Sequence, residues 1–478
     1  MLTIIIIIAY FALLLFVSRR SGGGSSNDTF FRAGRRAPWP MVAFGMIGAS
    51  ISGVSLISVP GWVASTGMSY LQMCAGFFVG YLVVAFVLLP VYYRLRVTSI
   101  YGVLLQRFGP RTHRTGAAFF VLSKLTGAAA RLYLACIVLT PFLFYQGQGA
   151  ATDIGLGTFT LIVAVVLLLI WLYTRRSGIG AIVRTDALQT GCMLLATAGI
   201  LVAVCSQLHL SLPEAWQTIV ASDSSKVFVW DAGSKQFFWR QFLSGVFITI
   251  VMTGLDQDMM QKNLTCSTLR NAQKDMCCYG IAFLPVNAIF LGLGVLLYHY
   301  CTVTGLAAPS RGDDLLPMLV SGGHLGAWVI VPFVIGIVAA AFSSADSAIT
   351  SLTTSVCVDL IGRDDEEQLR RRVHLVVLSA FFACILAFRA INSSNAIDAI
   401  YTMAGYTYGP LLGLFAFGLF TRQQVLDRWV PLVAIASPII CGLLDYVAPR
   451  LWDYHFGYEL LMLNGLLTVA GLLLIRCK

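Results

Sequence analysis

Thirteen stretches of this chain hold enough consecutive apolar residues to cross a bilayer as helices, which takes about 20 residues each. They run over roughly 2–18, 40–66, 70–93, 115–146, 157–174, 181–206, 238–260, 276–300, 325–358, 373–391, 396–420, 429–447 and 457–475. The polar positions inside two of them are patterned. In AAAFSSADSAITSLTTS, Ser343, Asp346, Ser347, Thr350, Ser351 and Thr354 recur at steps of three and one. That spacing places them on one continuous helix face, while Ala348, Ile349 and Leu352 point elsewhere. A lone serine in a membrane helix bonds its own backbone or a neighbouring helix. Six oxygen-bearing side chains on one face, a carboxylate among them, suit a small hard cation such as Na⁺.

The second stretch, GMIGASISGVSLISVPG, sets Gly45, Gly48, Gly53, Pro60 and Gly61 among Ser50, Ser52, Ser55 and Ser58. Glycine and proline at this density weaken a helix and free backbone carbonyls. Interrupted backbone at membrane depth lines a cavity or is buried in protein, and secondary transporters place substrate and ion sites there. The alternative is that these glycines only let helices approach closely.

Composition fits the pattern and narrows the function. The 478 residues are 58% hydrophobic and 11% charged, with mean hydropathy +0.81, too few charges to solvate a water-soluble fold of this size. A soluble enzyme, a disordered tail and a nucleic-acid binder are thereby excluded. The net charge of +10 is explained by topology. With the N-terminus outside, 24 of the 32 Lys and Arg fall in segments facing the cytoplasm and six in segments facing out, so the positive-inside rule puts the C-terminus inside. Lys124 and Arg131 are the two left within spans. Arg370-Arg371-Arg372 reads as part of this signal. Leu2 to Val17 lacks a preceding cation and a following cleavage pattern, and reads as a retained helix rather than a signal peptide. The chain ends three residues after its last span, which leaves no room there for an appended module. Twelve cysteines without a CxxC pair indicate neither a disulfide framework nor a zinc site, and no HExxH or Ser-His-Asp grouping suggests an enzyme.

Four segments together resemble the sodium:solute symporter family: GASISGVSLISVPG, GIGAIVRTDALQ at 178–189, TGLDQDMMQKNL at 253–264, and AAAFSSADS with the later YTYGPLLGLFAFGLF at 406–420. The likeness covers nearly the whole chain. It implies an all-α membrane protein of about 13 transmembrane helices forming a single domain over 1–478. An extra N-terminal helix (1–18) precedes two inverted five-helix repeats (40–206 and 238–420), and two further helices lie in 429–478. It also implies a Na⁺-coupled symporter that imports a small organic solute (a sugar, sialic acid or other organic anion, or an amino acid) by alternating access, in a bacterial cytoplasmic (inner) membrane. Its partners are then the solute, sodium ions and lipid, with no nucleic acid and no obligate protein partner. The other readings are a passive channel or facilitator and a transporter-like sensor.

Residue by residue, the resemblance assigns Na⁺ to the carbonyls of Gly48, Ile51 and Ala340 and the hydroxyls of Ser343 and Ser344. Asp186 matches a carboxylate that builds a second sodium site in some relatives, although Ala340 stands where those relatives have a serine. Ser52 and Ser55 fall where relatives contact substrate, with Gln72 and Asp256 as further candidates. For Asp256 a structural role in the DQD segment is the alternative. Arg131, in GAAARLYLA, matches an element of the proline and pantothenate branch. Sialic acid carriers place their carboxylate-binding arginine about one turn earlier, where this chain has Gly127. Arg131 either receives an anionic substrate or pairs inside the bundle.

Overall fold

The structure, a computed structural model, describes residues 2–20, 27–51, 53–144, 155–391 and 396–477. It is all-helical, and β pairing among the described residues is limited to isolated bridges, Ala37 with Cys266 and Val425 with Arg476. In chain order the main helices are α1 (Leu2–Arg20), α2 (Trp39–Ser50), α3 (Gly53–Thr66), α4 (Tyr70–Leu95), α5 (Pro110–Phe144), α6 (Leu156–Arg175), α7 (Gly178–Gln207) and α8 (Phe238–Gly254). They continue as α9 (Gln257–Asn263), α10 (Leu269–Thr304), α11 (Ala327–Ile361), α12 (Glu367–Ile391), α13 (Ala396–Phe420), α14 (Val430–Trp452) and α15 (Leu460–Leu474). Among the described residues nine helices are long and apolar enough to cross a membrane, or eleven if each bent pair is one span. Helices α1 and α15 stand where the hydropathy pattern expects the first and last crossings.

The expected break in the second apolar stretch is present, but not at its proline. Helices α2 and α3 bend by 52°. Helix α2 stops at Ser50, and Ile51 is already non-helical (φ −84°, ψ 81°). Pro60 lies inside α3, which continues through it. A second break was not anticipated: the stretch expected as one helix over 238–260 bends by 68° between α8 and α9. There Asp256, in extended conformation, accepts the amides of Asp258 (2.9 Å) and Met259 (3.3 Å) as the N-cap of α9.

Helix α11 is the hub. Every residue from Gly336 to Ser355 is buried, so the serine-rich face and its apolar back are both packed against protein. Helix α7 runs antiparallel along it: a Cβ on Gly199 would meet Pro332, a Cβ on Gly336 would meet Ala196, and Ser343 reaches Asp186. Helix α2 lies on the same segment of α7, with Gly45 beside Asp186 and Gly48 against Thr190. The loop expected between the fifth and sixth spans shrinks to a turn at Gly178, whose φ of +51° is in the left-handed region. A side chain there would meet the Phe30 backbone at 2.5 Å. Helix α5 is capped from a distance, since Asp427 accepts the amides of Arg111 (3.0 Å) and Thr112 (2.7 Å).

Gly178→Ala should therefore cost at least the 1–2 kcal/mol or so of the left-handed conformation, with the Phe30 overlap in addition. Gly191→Ala, whose Cβ would have only Phe44 at 3.9 Å, should leave stability unchanged. Thermal unfolding of the two purified variants checks the contrast.

Candidate ion and substrate site

The end of α2 and the middle of α11 come together at the helix break. The last carbonyls of a helix have no intrahelical partner, and Gly48 and Ile51 stand at this end, in the last turn of α2 and at its C-cap. A Cβ placed on Gly53, just past the break, would lie 3.7 Å from the Ile337 carbonyl and 3.9 Å from the Ala340 side chain. The broken segment thus abuts the A-x-x-S-S segment of α11. Gly48 admits no side chain, because a Cβ there would overlap the Thr190 hydroxyl. Ser344 Oγ is buried and has no hydrogen-bond partner among the described residues. Ser343 donates to Asp186 Oδ1 (2.8 Å), which leaves its lone pairs free to face a cation.

The rest of the polar stripe on α11 is divided. Ser347, Ser351 and Thr354 donate to carbonyls of their own helix, of Ser343, Ala348 and Thr350. Asp346 accepts from Tyr173 at 2.7 Å. For these residues the bland reading of the stripe describes the hydroxyls better than a row of ion ligands does.

Asp186 is not a lone carboxylate. Lys262 Nζ lies 2.8 Å from Asp186 Oδ2, 3.0 Å from Ser347 Oγ and 3.8 Å from Asp258 Oδ1. Asp258 Oδ2 is in turn 2.7 Å from Lys124 Nζ, which also lies 3.1 Å and 3.2 Å from the two oxygens of Asp256. Tyr408 donates to Asp256 Oδ2 at 2.6 Å. All five charged groups are buried. The sequence pattern gave both lysines other meanings: Lys124 is a cation inside a span, and Lys262 is counted among the cytoplasmic-facing charges. That second count is corrected here, since Lys262 is 1% exposed. The signal was legible in DQDMMQK, where Asp258 and Lys262 stand four residues apart on one helix face.

A central cavity of about 780 Å³, its open mouth included, lies on the other side of α2. Lys124 and Arg131, two turns apart on α5, both line it. So do Asp256, Ser50 and the rings of Tyr81 and Tyr279. Ser50 is hydrogen-bonded to Tyr279, which accepts from Tyr81 at 2.7 Å. Arg131 has no hydrogen bond or ion pair among the described residues. Of the expected substrate residues, Arg131 and Asp256 therefore meet here. Ser55, half-buried in α3, and Gln72 do not line the cavity. The Gln72 amide donates to the Gln236 carbonyl (2.9 Å) and accepts from the Val229 amide (3.1 Å), pinning the segment before α8. Ser52 lies outside the described residues.

The sequence profile of the sodium:solute symporter family matches residues 30–425. The chain belongs to this family. It is a multi-pass membrane transporter that couples a solute to Na⁺, and the symporter relatives agree. The sodium/sialic acid symporter NanT of Aliivibrio fischeri is 24% identical over 93% of this chain and 87% of its own. SiaT of Proteus mirabilis, another sodium/sialic acid symporter, is 22% identical over 83% and 80%. The human sodium/iodide cotransporter is 25% identical over 82% of this chain but 61% of its own length. The fold matches the substrate-bound, outward-open structure of a Na⁺-coupled sialic acid symporter, with TM-score 0.82 and 18% identity over 99% of this chain and 97% of the other. It also matches Mhp1, a nucleobase-cation-symport-1 family transporter, at TM-score 0.57 and 13% identity over 94% and 93%.

In this symporter Lys124 should be indispensable for folding. Lys124→Met leaves Asp256 and Asp258 facing one another without their shared cation, and removing one partner of a buried pair costs about 3–5 kcal/mol. Lys124→Met with Asp258→Asn should regain much of the folded yield. Fluorescence-detected size exclusion of the two variants reads the difference.

Proposed function

We propose that this symporter imports a small organic anion with Na⁺, and the observation that carries the reading is the unpaired Arg131 guanidinium in the central cavity. A buried-facing cation without a protein partner is completed by an anionic ligand. Tyr81, Tyr279 and Phe77 supply aromatic surface for the body of the solute. Lys124 is already held by two carboxylates, so Arg131 is the group that meets the substrate's charge.

The ion sits between the α2–α3 break and α11, held by the carbonyls of Gly48, Ile51 and Ala340 and the hydroxyls of Ser343 and Ser344. The orphaned Ser344 oxygen and the abutment of Gly53 on Ala340 support this placement. Asp186 acts through Ser343, orienting its hydroxyl so that the oxygen lone pairs face the ion. Coupling follows from position along one short segment: Gly48 and Ile51 face the ion, while Ser50 between them lines the cavity. Na⁺ that fixes the end of α2 also fixes Ser50, and by reciprocity bound solute raises affinity for Na⁺. Each Na⁺ entering at −100 mV gains about 2.3 kcal/mol from the potential, which a co-imported monovalent anion cancels, so the Na⁺ concentration gradient drives that solute. Thirteen crossings with the N-terminus outside, and repeats over 40–206 and 238–420, accord with a bent pair leading each half of the chain. The compartment is a bacterial cytoplasmic membrane. Ser52, Ser55 and Gln72 belong to this reading less directly than Arg131, since the cavity is lined without the latter two.

A thermal-shift screen of paired carboxylates and their neutral amides, in NaCl and in KCl, tests the substrate class. Carboxylates should stabilise the protein in NaCl only. Arg131→Gln should weaken them by about 1.5–3 kcal/mol, the worth of one charge-assisted bond, and leave any neutral solute alone. Equal loss for both classes would return Arg131 to a structural role. Replacing Ser343 and Ser344 together by Ala should lower Na⁺ affinity at least tenfold with little loss of folded protein, measured as the NaCl dependence of the same shift.

A further inference from the structure

We infer that Lys262 takes the place of a second transported ion: its tethered ammonium neutralises Asp186 throughout the cycle, so this chain carries one Na⁺ per turnover. The inference rests on the ion site proposed above and adds the number of ions that it serves.

The observation is the pairing of the Asp186 carboxylate. Oδ2 faces the Lys262 ammonium at 2.8 Å, and Oδ1 accepts the Ser343 hydroxyl at 2.8 Å. The ammonium in turn donates to Ser347 at 3.0 Å and forms ion pairs with Asp186 and, at 3.8 Å, with Asp258. Asp186 and Lys262 are 0% and 1% exposed. A sodium ion bound to Asp186 would enter the same buried oxygen cage as a full positive charge. Like charges this close in a buried site repel strongly. The oxygens surrounding Nζ, a carboxylate on α7 and a hydroxyl on α11 with a second carboxylate nearby on α9, are hard donors of the kind a small cation takes. The chain has filled the cage with its own side chain.

What a tethered cation changes is the movement of charge. A diffusible ion enters from one side and leaves on the other, whereas Lys262 stays with α9 and carries nothing across. With a monovalent organic anion, one Na⁺ per cycle makes transport electrically silent, and a second Na⁺ would make it carry one net charge.

The distinction is read on the full chain in detergent, with ²²Na⁺ alone as the probe. Wild type should saturate at one Na⁺ per chain, and so should Lys262→Arg, which keeps the charge. Lys262→Met opens the cage to a cation and should saturate at two. Lys262→Gln, which keeps a donor against Asp186, should do the same and serves should the Met variant not fold. Lys262→Met combined with Ser347→Ala should lose the added ion. Two ions on wild type overturn the inference, as does one ion on a folded Lys262→Met or Lys262→Gln. A purely structural ion pair would lose stability on its removal but gain no ion. Absence of saturable Na⁺ binding to wild type would instead bring down the ion site itself, and this inference with it.

Discussion

The arrangement of this transporter depends on burying charge only in closed sets. Five charged side chains, Lys124, Asp256, Asp258, Lys262 and Asp186, are linked by ion pairs of 2.7 to 3.8 Å. All five are buried, so each relies largely on its neighbours in place of hydration. Buried ion pairs add little stability compared with apolar packing, but opening one is expensive. The consequence here is positional. This linked set ties α5, the α8–α9 break, α7 and α11 to one another, and the carboxylates at its ends reach Tyr408 on α13 and Ser343 on α11.

Function uses what this set leaves unsatisfied. Among the described residues, Arg131 in the cavity and Ser344 beside the helix break are two of the polar groups without a hydrogen-bond partner. In the proposed reading the two ligands bind on opposite sides of the same interrupted helix, which would couple them. The hydroxyls of Ser347, Ser351 and Thr354 bond carbonyls of their own helix, which lowers the cost of burying them, whereas the buried Thr350 hydroxyl has no partner among the described residues.

Much of this was legible in the chain. Apolar run length located the helices, because a bilayer imposes a length that soluble folds do not. The density of Gly and Ser over 45–61 located the first helix break, since glycine alone permits the contact of Gly48 with Thr190. Its position was less legible: a proline such as Pro60 interrupts one hydrogen bond and a helix survives it, whereas the stop at Ser50 follows from packing against α7 and α11. The second break was hidden because TGLDQD reads as apolar helix up to the aspartate that caps the next one. The pairing of Lys262 with Asp258 could be read from their spacing, but its contact with Asp186 was hidden for another reason. A cation at the edge of an apolar stretch has the same appearance whether it faces the cytoplasm or a buried carboxylate, and only the contact with Asp186, 76 positions earlier in sequence, separates the two.

Asp256 has one carboxylate and several obligations: the first amides of α9, the Lys124 ammonium and the Tyr408 hydroxyl. These partners belong to three separate parts of the bundle, so none can be redrawn without disturbing the others. Asp256 also faces the cavity. A solute that draws Lys124 or Tyr408 toward itself therefore pulls on the cap of α9, the short helix that carries Lys262 to Asp186. The cavity and the ion site are joined in this way by a mechanical linkage as well as by the shared end of α2, and its pivot is a single side chain.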